Sequence, residues 1–170
     1  MSEPRWLTRA RGYIGTREIK GPKHNPLILS WWQKIKSSIR DDESPWCAAG
    51  VGGVLEEEGI VSSRKASARS YQSWGEKLHA AALGAVVVFW RGSPTGWSGH
   101  VGFVAGRDRF GNLMVLGFNQ GDECNIKPFL PDGAKGHRVL GFYWPAGVSE
   151  VPDFDLPLLN SDGRLSANEA

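Results

Sequence analysis

The sequence predicts an α+β domain, with helices in the first half of the chain and strands in the second. Apolar residues recur at helical spacing as far as residue 78, whereas from Gly84 they run together or alternate as in strands. The chain has 170 residues, which suits one domain with its own core. We place this domain at residues 1–145 and interpret residues 146–170 as a polar, partly disordered tail that is ordered at most around residues 154–159.

Two helices are predicted before the first cysteine. The first covers residues 4–14 and ends near Gly15. The second begins at Asn25-Pro26, where Asn25 suits the N-cap and Pro26 suits the first helical position, which needs no N–H. Its Trp31 and Trp32 are interpreted as core residues rather than as a binding platform.

The third predicted helix begins at Ser44-Pro45 and runs to about Glu58, with Gly59 as its stop. Ser44 suits the N-cap and Pro45 the first helical position, so Cys47 falls in the first turn. The helix dipole and the free N–H groups there favour a thiolate, the reactive form of cysteine. The helix also carries small residues that indicate close packing against a sheet, namely Ala49, Gly50, Gly52 and Gly53.

The second half of the chain is predicted to form a sheet. After a helix over residues 66–78, strands are predicted over residues 85–90, 100–105, 113–119, 126–129 and 137–144. A hairpin that turns about Arg109 and Phe110 places His100 opposite Asn119 on a face of small residues. The small face also holds Gly102, Val104, Val115 and Gly117, and the opposite core face holds Val101, Phe103, Leu116 and Phe118.

A thiol at a helix start, a histidine at a strand start and an amide on the next strand together suit nucleophilic catalysis. Cys47 would attack a carbonyl as thiolate, and His100 would take its proton and return one to the leaving amine. Asn119 would fix the imidazole, since a neutral amide suffices for a thiolate–imidazolium pair. The oxyanion would meet the backbone N–H groups of Cys47 and a neighbour.

The other titratable residues are interpreted mainly as structural. Cys124 lies beside carboxylates that raise a thiol pKa, and His24, His79 and His137 are isolated. Asp41-Asp42-Glu43 is interpreted as charge that complements a helix start, with contact to substrate amines as the alternative. Because no Cys-x-x-Cys or His-x-x-x-His pair occurs, we predict no metal site and no cofactor.

The composition excludes several classes of protein. With 41% hydrophobic and 22% charged residues the chain is globular, and no apolar run approaches the roughly 20 residues of a membrane-spanning helix. The net charge of +2 and the scattered Lys and Arg residues indicate no nucleic-acid partner. Residues 1–6 lack the pattern of a signal peptide, so synthesis in a cytoplasm without secretion is expected.

Three short motifs occur together: Pro45-Trp46-Cys47-Ala48-Ala49, Gly99-His100-Val101-Gly102-Phe103 and Gly117-Phe118-Asn119-Gln120. They resemble the NlpC/P60 superfamily of papain-like, CHAP-related cysteine peptidases, nearest its phage and prophage cell-wall hydrolases. The similarity covers about residues 5–144. The resemblance implies a papain-like fold, with N-terminal helices on a central antiparallel sheet. It also implies cleavage of amide bonds in peptidoglycan stem peptides, with Cys47 as nucleophile, His100 as base and Asn119 as third member.

Two positions depart from the family pattern. Similar sequences usually carry a bulky residue where this chain has Gly50, and a second glycine where it has Phe118. Phe118 is expected to face away from Asn119 and to leave the site undisturbed, and Gln120 replaces Asn119 as the orienting residue if the register differs. The remaining candidates for substrate or oxyanion contact are Trp46, Ala48, Gln120, Asp42 and Glu43.

The expected function is a peptidoglycan hydrolase, a cysteine endopeptidase of the endolysin or virion-associated type. It would be made in the host cytoplasm, leave through a holin or in a virion, and act at the cell wall or periplasm. Alternatives that stay open are an N-acetylmuramoyl-L-alanine amidase with the same triad, an acyltransferase or transglutaminase-like enzyme, and a non-catalytic wall-binding or tail-structural module. Bacterial peptidoglycan is the expected partner, without nucleic acid and without membrane insertion.

Overall fold

The computed structural model of the protein describes residues 3–167. Its helices are α1 (Arg5–Arg11), α2 (Pro26–Lys34) and α3 (Cys47–Glu57). Its strands are β1 (Glu76–Leu78), β2 (Val86–Trp90), β3 (Gly99–Arg107), β4 (Leu113–Gly117), β5 (Asn125–Phe129) and β6 (Val139–Trp144). They form one antiparallel sheet in the order β1-β6-β2-β3-β4-β5, so the α+β class is confirmed. Within residues 3–167, no helix combines the length and apolar character that crossing a membrane requires.

The first two helices follow the local signals of the sequence. In α2 the Asn25 side chain accepts the Leu27 N–H at 2.9 Å, and Pro26 is the first helical residue. α1 is shorter than predicted, because the helix ends at Arg11 and the chain turns through Gly12. Both helices direct their tryptophans into the core, where Trp6, Trp31 and Trp32 are fully buried.

The helix predicted over residues 66–78 is wrong. The chain forms a short 3₁₀ helix, Ala68–Ser73, and then the edge strand β1. Gly75 lies between them with a φ of +63°, a conformation that glycine adopts without steric cost. It packs against the backbone of Trp144, whose partner across β1 and β6 is Glu76. The turn at Gly75 therefore delivers β1 to the edge of the sheet.

The predicted register of the β3–β4 hairpin is confirmed near the site. Gly102 pairs with Gly117 and Val104 with Val115, before a bulge shifts the pairing by one residue. The predicted strand over residues 113–119 is two residues too long, because β4 ends at Gly117. Asn119 has a φ of +65°, which lies in the left-handed region and cannot continue a strand.

The sheet curls strongly around one face. β2 and β5 are separated by two strands, so in a flat sheet they would lie about 14 Å apart. Nevertheless, the ring centroids of Phe89 in β2 and Phe129 in β5 are only 4.4 Å apart. The ring of His100 lies beside both, at 6.2 Å from Phe89 and 5.8 Å from Phe129. The concave face of the sheet therefore encloses the candidate base.

α3 packs through its glycines. Every residue from Cys47 to Leu55 is buried. A Cβ at Gly50 would overlap the ring of Phe118, and a Cβ at Gly53 would overlap the ring of Trp31. The predicted close packing is thus present, but the glycines meet α2 and the residue that follows β4 rather than the sheet alone.

The described part of the tail, residues 146–167, follows an irregular path held on the domain. Ordered contacts extend well beyond residues 154–159. Backbone hydrogen bonds run from Leu83 N–H to Asp153 O (2.9 Å), Arg107 N–H to Pro157 O (2.9 Å), Leu159 N–H to Arg107 O (2.7 Å) and Ser166 N–H to Pro128 O (2.8 Å). The polar composition of the tail did not indicate these contacts, because they are made by the backbone.

The loop between β4 and β5 is tied to the segment after α1. The Gly15 N–H donates to the Cys124 carbonyl at 2.9 Å, and the Cys124 N–H donates to the Thr16 carbonyl at 2.8 Å. Arg17 and Glu123 add an ion pair of 2.8 Å. This tie holds the loop that carries Gln120, whose side chain contacts His100.

Glu18 makes the tie sensitive to pH. Burial and a hydrogen bond with Asp122 raise the pKa of Glu18 to about 7. A carboxyl group with a raised pKa in the folded state costs stability as pH rises from its ordinary value through the folded value. We therefore expect Glu18→Gln to gain stability over the wild type as pH rises from about 5 to about 8. Thermal melts across this range test it, with Glu76→Gln at an exposed strand position as the control. Parallel behaviour of the two variants would contradict the role given to Glu18.

Candidate active site

α3 begins at Cys47 itself, so the predicted cap at Ser44 is wrong. Trp46 occupies the N-cap position with φ −106° and ψ 19°, and no side chain caps the helix. The Ser44 side chain is engaged before the helix: it is hydrogen-bonded to the Asp41 carboxylate, which also accepts the Ser44 N–H at 2.6 Å. The first-turn position of Cys47 is nevertheless confirmed. The N–H groups of Cys47 and Ala48 are among the first four of the helix, which have no intrahelical partner.

The Cys47 thiol lies at the junction of α3 and β3. Burial raises its pKa, against the opposing effects of backbone hydrogen bonds from Val101 and Ala48 and of the Arg91 charge. The expected lowering of the pKa is therefore reversed in this structure, where Cys47 is 4% exposed. The backbone N–H of Val101, the residue after His100, faces the sulfur, so the thiol lies near the start of the strand that carries the base.

His100 is fully buried, and its Nε2 lies 3.0 Å from Gln120 Oε1. The amide orientation is set by the other end of Gln120, whose Nε2 donates to Asn125 Oδ1 at 2.9 Å, to Asn125 O at 3.0 Å and to Val115 O at 3.3 Å. The oxygen of Gln120 accepts only, so His100 Nε2 carries the proton. In the neutral ring, Nδ1 is then the basic nitrogen.

Gln120 reaches His100 because the chain reverses after β4. Asn119 adopts the left-handed conformation, and the Gln120 N–H donates to the Glu123 carbonyl at 2.8 Å. The side chain of Gln120 folds back over Gly117, where a Cβ would collide with the amide. Of the two amides considered for orienting the imidazole, Gln120 makes the Nε2 contact, and a catalytic role for Asn119 stays a prediction.

Two aromatic rings of the site were missed by the sequence reasoning. Phe89 pairs with His100 across β2 and β3, and Phe129 stacks on His100 with an interplanar angle of 10°. The half-buried Arg138 guanidinium lies over the same two phenyl rings, at 6.0 Å and 5.9 Å. No local signal marks these residues, because they meet only through the curl of the sheet.

The other candidates for oxyanion or substrate contact separate into different roles. Trp46 is fully buried and stacks on Trp31 with centroids 6.0 Å apart, so its side chain belongs to the core. Ala48 is buried in α3 and can offer only its backbone N–H. Glu43 is exposed and stays a candidate for contact with substrate.

Asp42 is fully buried and serves the fold. Its carboxylate accepts the Ile19 N–H at 2.6 Å and the Asn25 N–H at 2.7 Å, and lies 3.0 Å from His24 Nδ1. Burial opposes ionisation, but these hydrogen bonds outweigh it and lower the pKa of Asp42. The interpretation of Asp42 as a charge at the helix start is wrong, since it ties the segment before α2 to the loop before α3.

Asp42→Ala is expected to lower the free energy of unfolding by about 3 kcal/mol, because two buried N–H groups lose a charged acceptor. Glu43→Ala is the matched control, and at an exposed position it should change stability by no more than about 0.5 kcal/mol. Urea unfolding measures both. Equal small effects would show that Asp42 does not hold the two segments together.

The remaining cysteine and histidines have structural surroundings. Burial and the Glu123 charge raise the pKa of Cys124 to about 12. His79 stacks on Phe154 with centroids 4.6 Å apart, and His137 Nδ1 accepts the Val139 N–H at 3.2 Å. Among residues 3–167, no three His, Cys, Asp or Glu side chains gather as a metal site would require.

Comparison of the chain with models of known protein families gives no match, and comparison with curated proteins gives none either. The NlpC/P60 resemblance of the three motifs, and the papain-like form of the α+β fold that it implies, therefore stay proposals.

Proposed function

We propose that the protein is a cysteine peptidase of NlpC/P60 type that hydrolyses amide bonds in the stem peptides of bacterial peptidoglycan. The observation that carries the proposal is the 3.0 Å contact between His100 Nε2 and Gln120 Oε1. The residue after His100 on the same strand, Val101, directs its backbone N–H toward the Cys47 thiol. An imidazole that is held by an amide, on a strand that contacts a thiol at the start of a helix, suits acyl transfer. The substrate class comes from the resemblance of the three motifs.

The reaction begins when the Cys47 thiol gives its proton to His100 Nδ1 and the thiolate attacks the carbonyl carbon. The oxyanion that forms is met by the N–H groups of Cys47 and Ala48 at the start of α3. The imidazolium then protonates the leaving amine, and the C–N bond breaks to leave a thioester. Water attacks the thioester with His100 as base, which releases the carboxylate and restores the thiol.

Gln120 acts on this sequence through the imidazole. Because its oxygen accepts from Nε2, it keeps Nδ1 as the proton-accepting atom and supports the positive charge of the imidazolium. In this proposal Gln120 takes the orienting role that the resemblance gives to Asn119. The route to the wall, through a holin or in a virion, belongs to the same proposal.

Zymography against purified peptidoglycan tests the activity, and mass spectrometry of the fragments names the bond. The wild type should clear the gel, Cys47→Ala should lose at least about 1,000-fold in rate, and the matched control Cys124→Ala should retain activity. Cuts within the stem peptide indicate an endopeptidase, whereas intact stem peptides freed from muramic acid indicate the amidase. Equal clearing by Cys47→Ala would overturn the thiol mechanism.

A further inference from the structure

The two reactive side chains of the candidate site are closed off from solvent. Cys47 is 4% exposed and His100 is not exposed at all. A peptide bond has to come within about 3.5 Å of the sulfur for attack. Any substrate of the proposed size therefore requires that some part of the molecule move away first.

The tail lies on the side of the site formed by Gln120 and β5. Together with Gln120 and Pro128, tail residues 161–162 and 164–167 line a groove of about 440 Å³. Leu165 and Ser166 also close a cavity of about 150 Å³. The opposite wall of that cavity is formed by Phe89, Phe129 and Arg138. The tail thus borders both the residue that orients His100 and the rings that stack on it.

The distal part of the tail lies against the edge of the sheet. The Ser166 N–H donates to the Pro128 carbonyl at 2.8 Å, so the tail adds to this edge as an extended peptide would. Leu165 is 43% exposed and lines both the groove and the cavity. An anchor lies upstream, where Leu159 N–H bonds Arg107 O at 2.7 Å and Ser161 Oγ bonds the Asp108 carboxylate at 2.7 Å.

We propose that residues 164–167 form a strap that closes the candidate active site and leaves the edge of β5 when substrate enters. The inference rests on the proposed function, because it assigns regulation to the same site. In the open state, the edge of β5 that Ser166 occupies accepts the extended backbone of the substrate peptide. The anchor at residues 157–161 keeps the released strap attached to the domain.

Thiol alkylation tests the strap without any peptidoglycan. The chain is truncated after Gly163, treated with iodoacetamide at neutral pH, and the modification of Cys47 and Cys124 is followed by mass spectrometry. Truncation should raise the alkylation rate of Cys47 at least about tenfold, because opening removes the burial that raises its pKa. Cys124 serves as the internal control and should react at its wild-type rate.

A full-length variant guards against a folding defect of the truncated chain. Leu165→Asp should raise the rate for Cys47 in the same direction, whereas Val151→Asp, at an exposed tail position upstream of the anchor, should not. An unchanged Cys47 rate in both the truncated chain and Leu165→Asp overturns the strap. Equal acceleration of Cys124 overturns it too, since that would report general loosening.

The outcomes for the strap and for the proposed function are distinguishable. Faster alkylation of Cys47 in a truncated chain that clears no peptidoglycan supports the strap and overturns the hydrolase. Clearing by the wild type, with the same alkylation rate and the same clearing rate after truncation, supports the hydrolase and overturns the strap.

Discussion

Gln120→Ala is expected to reduce peptidoglycan hydrolysis by about 100-fold, while Asn119→Gly loses less than about tenfold. Gln120 Oε1 holds His100 Nε2 at 3.0 Å, and without it the imidazole loses both its tautomer preference and the contact that fixes its ring angle. Glycine is the matched substitution at position 119, because it removes the amide yet tolerates the φ of +65°. Turnover on purified peptidoglycan at saturating substrate measures both variants.

Gly117→Ala tests the same contact while every polar group of the site is retained. Its Cβ would collide with the Gln120 amide, so the amide must move away from His100. The expected result is a loss similar to that of Gln120→Ala. A larger loss in Asn119→Gly than in either of these variants would return the orienting role to Asn119.

The sequence predicted those features that depend on neighbouring residues. The cap of α2 at Asn25 forms because the side chain finds an N–H two residues away. The equivalent cap at Ser44 does not form, because the Ser44 side chain is hydrogen-bonded to the Asp41 carboxylate instead. Capping patterns therefore identify candidate helix starts, but a carboxylate three residues upstream can shift the start by two positions, as it does before Cys47.

Which residues meet at His100 depends on the geometry of the sheet and its loops, which the alternation of apolar and polar residues along a strand does not encode. The predicted hairpin register is correct from Gly102 to Val104. His100 lies two residues before Gly102 in β3, so the two residues share one face of the sheet. The chain reverses at Asn119, and of the two amides considered it is Gln120 that contacts His100 Nε2. Phe129 reaches His100 only because the sheet curls, and curl results from the summed twist of several strands rather than from a pattern within one.

The tail shows the same limit in another form. Its polar, proline-bearing sequence indicated partial disorder, because few apolar side chains are available for burial. Its contacts with the domain include backbone bonds at Arg107 and Pro128, and backbone groups carry no signature in composition. The path of the folded chain, which the composition of the tail does not encode, places residues 161–162 and 164–167 at the groove beside Gln120.

The two departures from the pattern of the NlpC/P60 family, which the three motifs only resemble, are two sides of one contact. Gly50 stands where that pattern has a bulky residue, and Phe118 stands where it has glycine. A Cβ at Gly50 would overlap the Phe118 ring, which also packs edge-on against Trp31 with centroids 5.1 Å apart. The space beside Gly50 in α3 is thus filled by the ring of Phe118, the residue that follows β4.

The contact between Gly50 and Phe118 predicts that the effect of Gly50→Ala on stability changes sign when Phe118 is removed. In the wild type, Gly50→Ala should cost about 1–3 kcal/mol of stability, because the added methyl overpacks a buried contact. Phe118→Gly alone should cost about 4 kcal/mol through the cavity it leaves. In the Phe118→Gly background, Gly50→Ala should instead stabilise by about 1 kcal/mol, because alanine exceeds glycine in helix propensity and the space is open. Denaturant unfolding of the four proteins measures the coupling.

Glycine rather than alanine is required at position 118, since the Cβ of Phe118 itself lies 2.6 Å from where the new methyl would be. Gly53→Ala is the matched control in both backgrounds, because its methyl would meet Trp31 and not Phe118. It should therefore destabilise the protein in either case. If Gly50→Ala also destabilises both backgrounds equally, the glycine is needed for the helix backbone itself, and the pairing of the two departures is coincidental.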